Sequence, residues 1–149
     1  MRNFLKRQKK TSLETQVRDM IQYKTGFVFS IDEAQNLYRH TSLGERRPVE
    51  DAARFQKMFE NVNLIVSAWD GSLLVGVCRS FSDFSYFTYI SDLLVRDSHQ
   101  KKGIGESLLK ETEQLSGKDT KLVLLSAPAA HSYYARLGFK PHPRAWILE

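Results

Sequence analysis

The chain has 149 residues, of which 42% are hydrophobic and 26% charged, a composition typical of one folded domain and not of a disordered or fibrous protein. No apolar run reaches the roughly 18 residues of a membrane-spanning helix, and the N-terminus lacks the apolar stretch of a secretory signal. We therefore expect a cytoplasmic protein that has no membrane partner.

The net charge of +5 comes from the N-terminal segment alone. Residues 1–24 contain seven Lys and Arg against Glu14 and Asp19, so the rest of the chain carries no net charge. A neutral body differs from the basic face of a nucleic-acid-binding protein, and we expect no nucleic-acid partner. We interpret residues 1–25 as a basic N-terminal helix or extension and residues 26–149 as a single domain. Binding of nucleic acid through the short basic segment is an alternative.

Helical patterns dominate the first part of the chain. Thr11 and Glu14 match a capping box, and apolar residues follow at helical spacing, which predicts a short amphipathic helix over 12–22. The elements predicted next are a strand over 26–31, a helix that Asp32 caps and that ends near Tyr38, and a helix from Pro48 to Phe59.

Strand patterns dominate the middle of the chain. Asp70-Gly71 is a tight-turn dipeptide between two apolar runs, so we predict antiparallel strands over 63–69 and 73–81. A long strand over 86–95 follows a second turn. Cys78, the single cysteine, lies in one of these strands, and we interpret it as a buried, unreactive thiol and not a nucleophile.

The last part of the chain alternates helices and strands, which together with the hairpin predicts a mixed α/β sheet. The elements are a helix that Gly103-Ile104-Gly105 opens and Gly117 ends, a strand over 121–126, a helix from Pro128 to Gly138, and a strand over 139–148.

The loop before the Gly103 helix has the composition of an anion site. A helix N-terminus presents unpaired N–H groups, and Gly103 and Gly105 allow a phosphate to approach the main chain. Gln100, Lys101 and Lys102 add donors and positive charge. A dinucleotide-binding fingerprint or a P-loop is excluded because the glycine or lysine that each requires is absent. Taken alone, the motif fits equally well with an ordinary strand-to-helix turn.

A second motif makes the interpretation more specific. The segment LLVRDSHQKKGIGESLL resembles motif A of the GCN5-related N-acetyltransferase (GNAT) superfamily, whose pyrophosphate loop reads Gln/Arg-x-x-Gly-x-Gly/Ala. The segment APAAHSYYARLGF resembles motif B, with Ala130, Tyr134, Gly138 and Phe139 at the family spacing. The resemblance implies an acyl-CoA N-acyltransferase fold: a central, mostly antiparallel sheet with splayed parallel strands, flanked by helices. It also implies acetyl-CoA as cofactor and transfer of the acetyl group to an amine.

The resemblance also implies roles for single residues. The N–H of Leu93 is expected to polarise the thioester carbonyl, and Tyr134 to protonate the departing thiolate. An asparagine frequent in the family is replaced by Ala127. The implied cofactor-binding residues are Leu93, Leu94, Val95, Gln100, Lys101, Lys102, Gly103, Ile104, Gly105, Ser107 and Tyr134. No metal is expected.

Deprotonation of the amine needs a further group, because an alkylammonium with a pKa near 10.4 cannot attack a carbonyl at neutral pH. Asp92, which precedes Leu93, is the candidate general base, although a strand aspartate also commonly binds neighbouring main chain. His131 is a weaker candidate that fits better with a helix surface. We expect direct transfer in a ternary complex.

The acceptor is expected to be a small-molecule amine, because the neutral body offers no acidic groove for a lysine-rich peptide. Aromatic residues near the cofactor strand are candidates for its pocket or for plain packing: Phe81, Phe84, Tyr86, Phe87, Tyr89 and Trp146. A homodimer is possible. The alternatives are a protein acetyltransferase and a non-catalytic acetyl-CoA sensor.

Overall fold

Five strands form one sheet in the computed structural model, which describes residues 20–149. In the order in which they neighbour one another they are β1 (Ile21–Thr25), β2 (Leu64–Asp70), β3 (Leu73–Ser82), β4 (Phe87–Val95) and β5 (Lys121–Leu124). The first three pairings are antiparallel, and β4 and β5 run parallel. The predicted mixed sheet is confirmed.

Helices cover both faces of this sheet. They are α1 (Ile31–Arg39), α2 (Ala52–Glu60), α3 (Ile104–Ser116) and α4 (His131–Arg136). One core lies between the sheet and the first two helices, where Tyr38, Phe55 and Phe59 are buried. The second core packs Ile104 and Leu108 of α3 against the opposite face. Because a sheet that is apolar on both faces must bury both, the result is a three-layer arrangement.

Strand β4 has two unlike halves. Residues 87–90 pair with β5, whereas residues 91–95 have no partner on that side among the described residues. The change occurs at Ser91, where β4 has one residue more than its partner β3. Arg79 of β3 pairs with Asp92, whereas the next residue, Ser80, pairs with Ile90, which leaves Ser91 unpaired with β3. Such a bulge bends a strand. The parallel pair therefore splays apart from Ser91 onward.

The N-terminal predictions are partly wrong. Most of the predicted helix over 12–22 lies outside the described residues, but Ile21 and Gln22 belong to β1 and pair with Asp70 and Trp69. The predicted strand over 26–31 is not one, because Gly26 takes a φ of +90° that ends β1. The apolar spacing of this stretch fits a helix in the sequence, yet pairing with β2 makes its last residues a strand.

Other boundaries shift for local reasons. Helix α1 begins after Ser30, which forms a reciprocal capping box with Glu33, so Asp32 is not its cap. Helix α2 begins after Asp51 and not at Pro48, because the Asp51 side chain caps it by accepting from Arg54 N–H. The predicted strand over 121–126 ends at Leu124, where β4 and β5 diverge. The predicted strand over 139–148 is absent; those residues form no helix or strand.

No helix within residues 20–149 has the length and apolar character to cross a membrane.

Candidate functional site

A cavity of about 700 Å³ opens where β4 and β5 separate. Its walls are the free half of β4, the loop into α3, the first turn of α3 and one side of α4. At its far end it reaches the segment that joins α1 to α2, residues 41–47. After the acetyl donor and the amine acceptor that the sequence motifs imply, we name the end beside α3 the donor end and the end beside residues 41–47 the acceptor end.

The main chain of β4 points into this cavity at alternate residues. Arg96 N–H donates to Val75 O of β3 at 2.7 Å, whereas Val95 O faces the other way and accepts from the Gln100 side chain at 3.1 Å. Peptide groups two residues apart on a strand point to the same side. The N–H and C=O of Leu93 therefore face the cavity and have no strand partner there among the described residues.

The donor end closes on the N-terminus of α3. Lys101 (φ +61°) and Gly103 (φ +81°) both adopt the left-handed region, which turns the loop sharply into the helix. The first helical bond runs from Ser107 N–H to Gly103 O, so the N–H groups of residues 104–106 have no intrahelical acceptor. These groups can bind an anion.

Gly105 leaves room for the side chain of Tyr133. A Cβ at Gly105 would lie 2.7 Å from the Tyr133 hydroxyl oxygen, so the tyrosine would have to move. The glycine thus lets α4 lie directly on the first turn of α3. Together, the exposed β4 main chain and this helix terminus form one wall of the cavity, with N–H groups along it that lack strand or helix partners in the described part of the chain.

Most of the predicted cofactor residues lie on the cavity wall. They are Leu93, Leu94, Val95, Gln100, Lys101, Gly103, Ile104, Gly105 and Tyr134. Two are used elsewhere: the Lys102 ammonium donates to Ser98 O at 3.3 Å, and the Ser107 hydroxyl donates to Gly103 O at 3.1 Å. Ala127 also lines the cavity, so no side-chain amide reaches the cavity from that position.

Two adjacent tyrosines of α4 reach the cavity at different places. Tyr133 lies over Gly105, and Tyr134 packs with the core that contains Cys78 and Ile90. Burial, followed by the neighbouring Tyr133 and Cys78, raises the pKa of Tyr134 to about 12. Its phenol therefore keeps its proton at neutral pH and can donate it.

Asp92 holds together a buried polar network. Its Oδ1 accepts from Arg47 Nε at 2.6 Å, and its Oδ2 accepts from Arg79 Nε at 2.7 Å and from the Tyr38 hydroxyl at 2.6 Å. The Asp92 side chain has no exposed surface. Burial by itself lowers the pKa of the Arg79 guanidinium, but the negative charge of Asp92 raises it, and the net result is a raised pKa. With three hydrogen bonds accepted and no exposed side-chain surface, Asp92 has a structural role in this geometry, and its role as general base stays a prediction.

Two other candidate groups lie away from the cavity. His131 is an exposed residue at the start of α4 and is not on the cavity wall. Cys78 is fully buried, and burial raises the pKa of its thiol, so it is a neutral packing residue in this structure. Within residues 20–149, no three His, Cys, Asp or Glu side chains group to hold a metal.

The six aromatic candidates for the acceptor pocket lie outside this cavity, and Trp146 is 95% exposed. The acceptor end is formed instead by Thr41, Ser42, Leu43, Arg46 and Arg47. Sequence reasoning missed this segment because it carries no motif and lies between two predicted helices. Its only signal is the adjacent pair of arginines.

Known protein structures share this architecture. A GNAT-family acetyltransferase from Streptococcus pneumoniae TIGR4 superposes with a TM-score of 0.66 at 23% identity, covering 87% of this chain and 98% of that one. An aminoglycoside acetyltransferase from an uncultured soil metagenomic sample, in complex with sisomicin, gives 0.63 at 19% identity, with coverages of 89% and 95%. The aminoglycoside N-acetyltransferase AAC(6')-Iy in complex with CoA gives 0.66 at 11% identity, with coverages of 87% and 93%.

Sequence comparison identifies the family. None of the functionally curated proteins matches the chain. The family model of the acetyltransferase (GNAT) domain matches residues 41–145, which include the cavity and both motifs. The chain therefore belongs to the GNAT family of acetyltransferases, whose acetyl donor is acetyl-CoA.

Proposed function

We propose that this protein transfers the acetyl group of acetyl-CoA to a primary amine of a small molecule, by direct attack in a ternary complex. The observation that carries the proposal is the continuous cavity that joins the splayed strands to residues 41–47. In this proposal the two substrates enter from opposite ends and meet beside Leu93 and Tyr134. Holding an amine about 3–3.5 Å from an acyl carbon supplies much of the rate of such a reaction.

The donor end would bind through main-chain groups. We propose that the N–H groups of residues 104–106 and the Lys101 side chain hold the pyrophosphate, and that Leu93 N–H donates to the thioester carbonyl oxygen. Acetyl-CoA supplies an acetyl group activated as a thioester. A preorganised donor at the place where negative charge develops lowers the barrier of acyl transfer.

Tyr134 would act as the general acid. Its raised pKa of about 12 keeps the phenol protonated, and its position on the cavity wall places it beside the free half of β4. We propose that it protonates the sulfur as the thiol departs. Tyr133, whose hydroxyl lies over Gly105, would position α4 against α3.

The amine would enter the site in its neutral form. Because both oxygens of Asp92 are occupied, we propose that Asp92 positions β4 and residues 41–47 instead of accepting the proton. In this scheme the amine loses its proton to solvent before attack. The inflection in the pH profile should therefore follow the pKa of the amine and not that of a protein group.

The test is release of the CoA thiol from acetyl-CoA with a panel of small amines. We expect turnover with at least one amine, and a pH profile whose inflection moves when two substrates of different pKa are compared. Binding of acetyl-CoA without turnover of any amine or peptide would favour the sensor alternative. Acetylation of peptides alone would favour a protein acetyltransferase. An inflection at a constant pH would point to a protein base.

A further inference from the structure

The acceptor end of the cavity has an unbalanced positive charge. Three arginines lie at or next to it, namely Arg46 and Arg47 on its wall and Arg79 behind Asp92. Among the described residues, the one carboxylate there is Asp92, which pairs with Arg47 at 2.6 Å and with Arg79 at 2.7 Å. The remaining carboxylate on the described wall is that of Glu106, which lies at the donor end and pairs with Lys110 at 2.8 Å.

Within residues 20–149, the Arg46 side chain differs from those of Arg47 and Arg79 in having no hydrogen-bond or ion-pair partner. Arg47 is held by Asp92 and by Ser91 O, and Arg79 by Asp92, Met58 O and the Ser91 hydroxyl. The guanidinium of Arg46 has no hydrogen-bond or ion-pair partner among residues 20–149, although it is on the cavity wall. An arginine is suited to bind a carboxylate or a phosphate through two parallel hydrogen bonds.

Arg46 lines the same cavity as Leu93 and Tyr134, the residues of the proposed reaction centre. Its positive charge is felt by the Tyr134 phenol, whose pKa it lowers slightly against the larger effect of burial. Both side chains therefore belong to one cavity, with Arg46 on the wall next to Arg47 and Tyr134 on the wall formed by α4. A short molecule could place its amine near Leu93 and Tyr134 while its other end reaches Arg46.

We propose that the acceptor is an amine that also carries an anionic group, a carboxylate or a phosphate, and that Arg46 binds this group. The inference rests on the proposed acetyl transfer and names the substrate class. An acceptor with several positive charges is disfavoured, because no free carboxylate on the described wall of the acceptor end would receive a second ammonium group.

The test compares four primary amines of similar length: butylamine, 4-aminobutyrate, 3-aminopropyl phosphate and 1,4-diaminobutane. With the unaltered protein, kcat/KM should be at least about tenfold higher for an anionic amine than for butylamine, within the range for a hydrogen bond to a charged group, and lowest for the diamine. The two anionic amines distinguish a carboxylate from a phosphate. The preference should shrink as salt is added.

Variants of Arg46 sharpen this test. Arg46→Gln should lower the ratio of kcat/KM for the anionic amine over butylamine by about tenfold, and Arg46→Glu should reverse the order in favour of the diamine. Arg54→Gln is the matched control, since Arg54 is exposed on α2 and lies outside the cavity wall. Circular dichroism and thermal melts verify that each variant is folded.

The outcomes separate the two proposals. Equal kcat/KM for neutral and anionic amines, or an unchanged ratio in Arg46→Gln, would overturn the anionic acceptor while leaving acetyl transfer in place. If Arg46→Gln raised the KM for acetyl-CoA and changed nothing else, the anionic acceptor would also be overturned, since Arg46 would then bind the acetyl donor. Absence of turnover with any amine would remove both proposals.

Discussion

The two ends of the cavity are built from different parts of the polypeptide. The donor end uses main-chain groups, namely the free edge of β4 and the first turn of α3, with left-handed residues at Lys101 and Gly103 to orient them. The acceptor end uses charged side chains, with Asp92 linking Arg47 and Arg79. A substitution at the donor end should therefore act through shape, and one at the acceptor end through charge.

The largest expected effect belongs to the acceptor-end network. Asp92→Ala removes the carboxylate that balances Arg79, a side chain with only 5% of its surface exposed. Leaving a buried charge without its partner costs about 3–5 kcal/mol of unfolding free energy. Urea denaturation measures this loss.

Asp70→Ala is the matched control, because Asp70 pairs with His99 but is 44% exposed. Its loss should stay below about 1 kcal/mol, as for other exposed pairs. Equal losses in the two variants would show that the Asp92 network does not hold the acceptor end together.

Gly103→Val changes the shape of the donor end without changing its charge. The φ of +81° strains a β-branched residue, and its side chain would lie at the start of α3, where we place the pyrophosphate. We expect acetyl-CoA affinity to fall by at least about 100-fold, which removes most of the thermal stabilisation by the ligand.

Gly26→Val controls for strain alone. Gly26 has a similar φ of +90°, a Cβ added to it would meet no atom within 4 Å, and it is not on the cavity wall. This variant should lose stability but keep the thermal shift with acetyl-CoA. A normal shift in folded Gly103→Val would contradict the position of the donor end.

Tyr134→Phe tests the place where the two ends meet. A thiolate resembles cysteine, with a pKa near 8.5, so its protonation helps departure but is not essential. We expect kcat to fall by about 100-fold, within the range for general acid catalysis, with little change in acetyl-CoA affinity.

The pH profile adds a second readout for Tyr134. Because its pKa is raised to about 12, the phenol stays protonated and kcat should show no loss of this acid below about pH 11. Tyr133→Phe is the control and should keep most of the turnover. A defect confined to Tyr133→Phe would exchange the roles of the two tyrosines.

The smallest effect is expected at Cys78, which lies in the core behind the cavity. Cys78→Ala should keep turnover and lose about 1–2 kcal/mol of stability through the small space it leaves. Recovery of an acetylated Cys78 peptide from a quenched reaction, together with loss of activity in the variant, would contradict direct transfer.

The features that the sequence predicted well are those that depend on local conformation. The Asp70-Gly71 hairpin, the Gly103 turn into α3 and the end of α3 at Gly117 all appear in the structure, because a glycine at positive φ marks each change of direction. Motif A was recognisable for the same reason, because all its residues lie in one short stretch of the chain.

The elements predicted wrongly depend on distant partners. The five residues of β1 are a strand because they pair with β2, which lies about forty residues further along the chain. The apolar residues of 139–148 predict a strand, yet they have no pairing partner among residues 20–149 and remain without regular structure. β-propensity describes a half-buried surface and cannot show whether a neighbouring strand exists.

By itself, the sequence determined the family, the mixed sheet and the glycine-rich donor end, because motif spacing and turn residues express these within short stretches of chain. The tertiary structure decided what Asp92 and the arginines do. Tyr38, Arg47 and Arg79 come from three separate segments and reach one carboxylate only when the helices pack against the sheet. Charges brought together by packing leave no periodic trace in sequence, so the acceptor end could be read only from the folded chain.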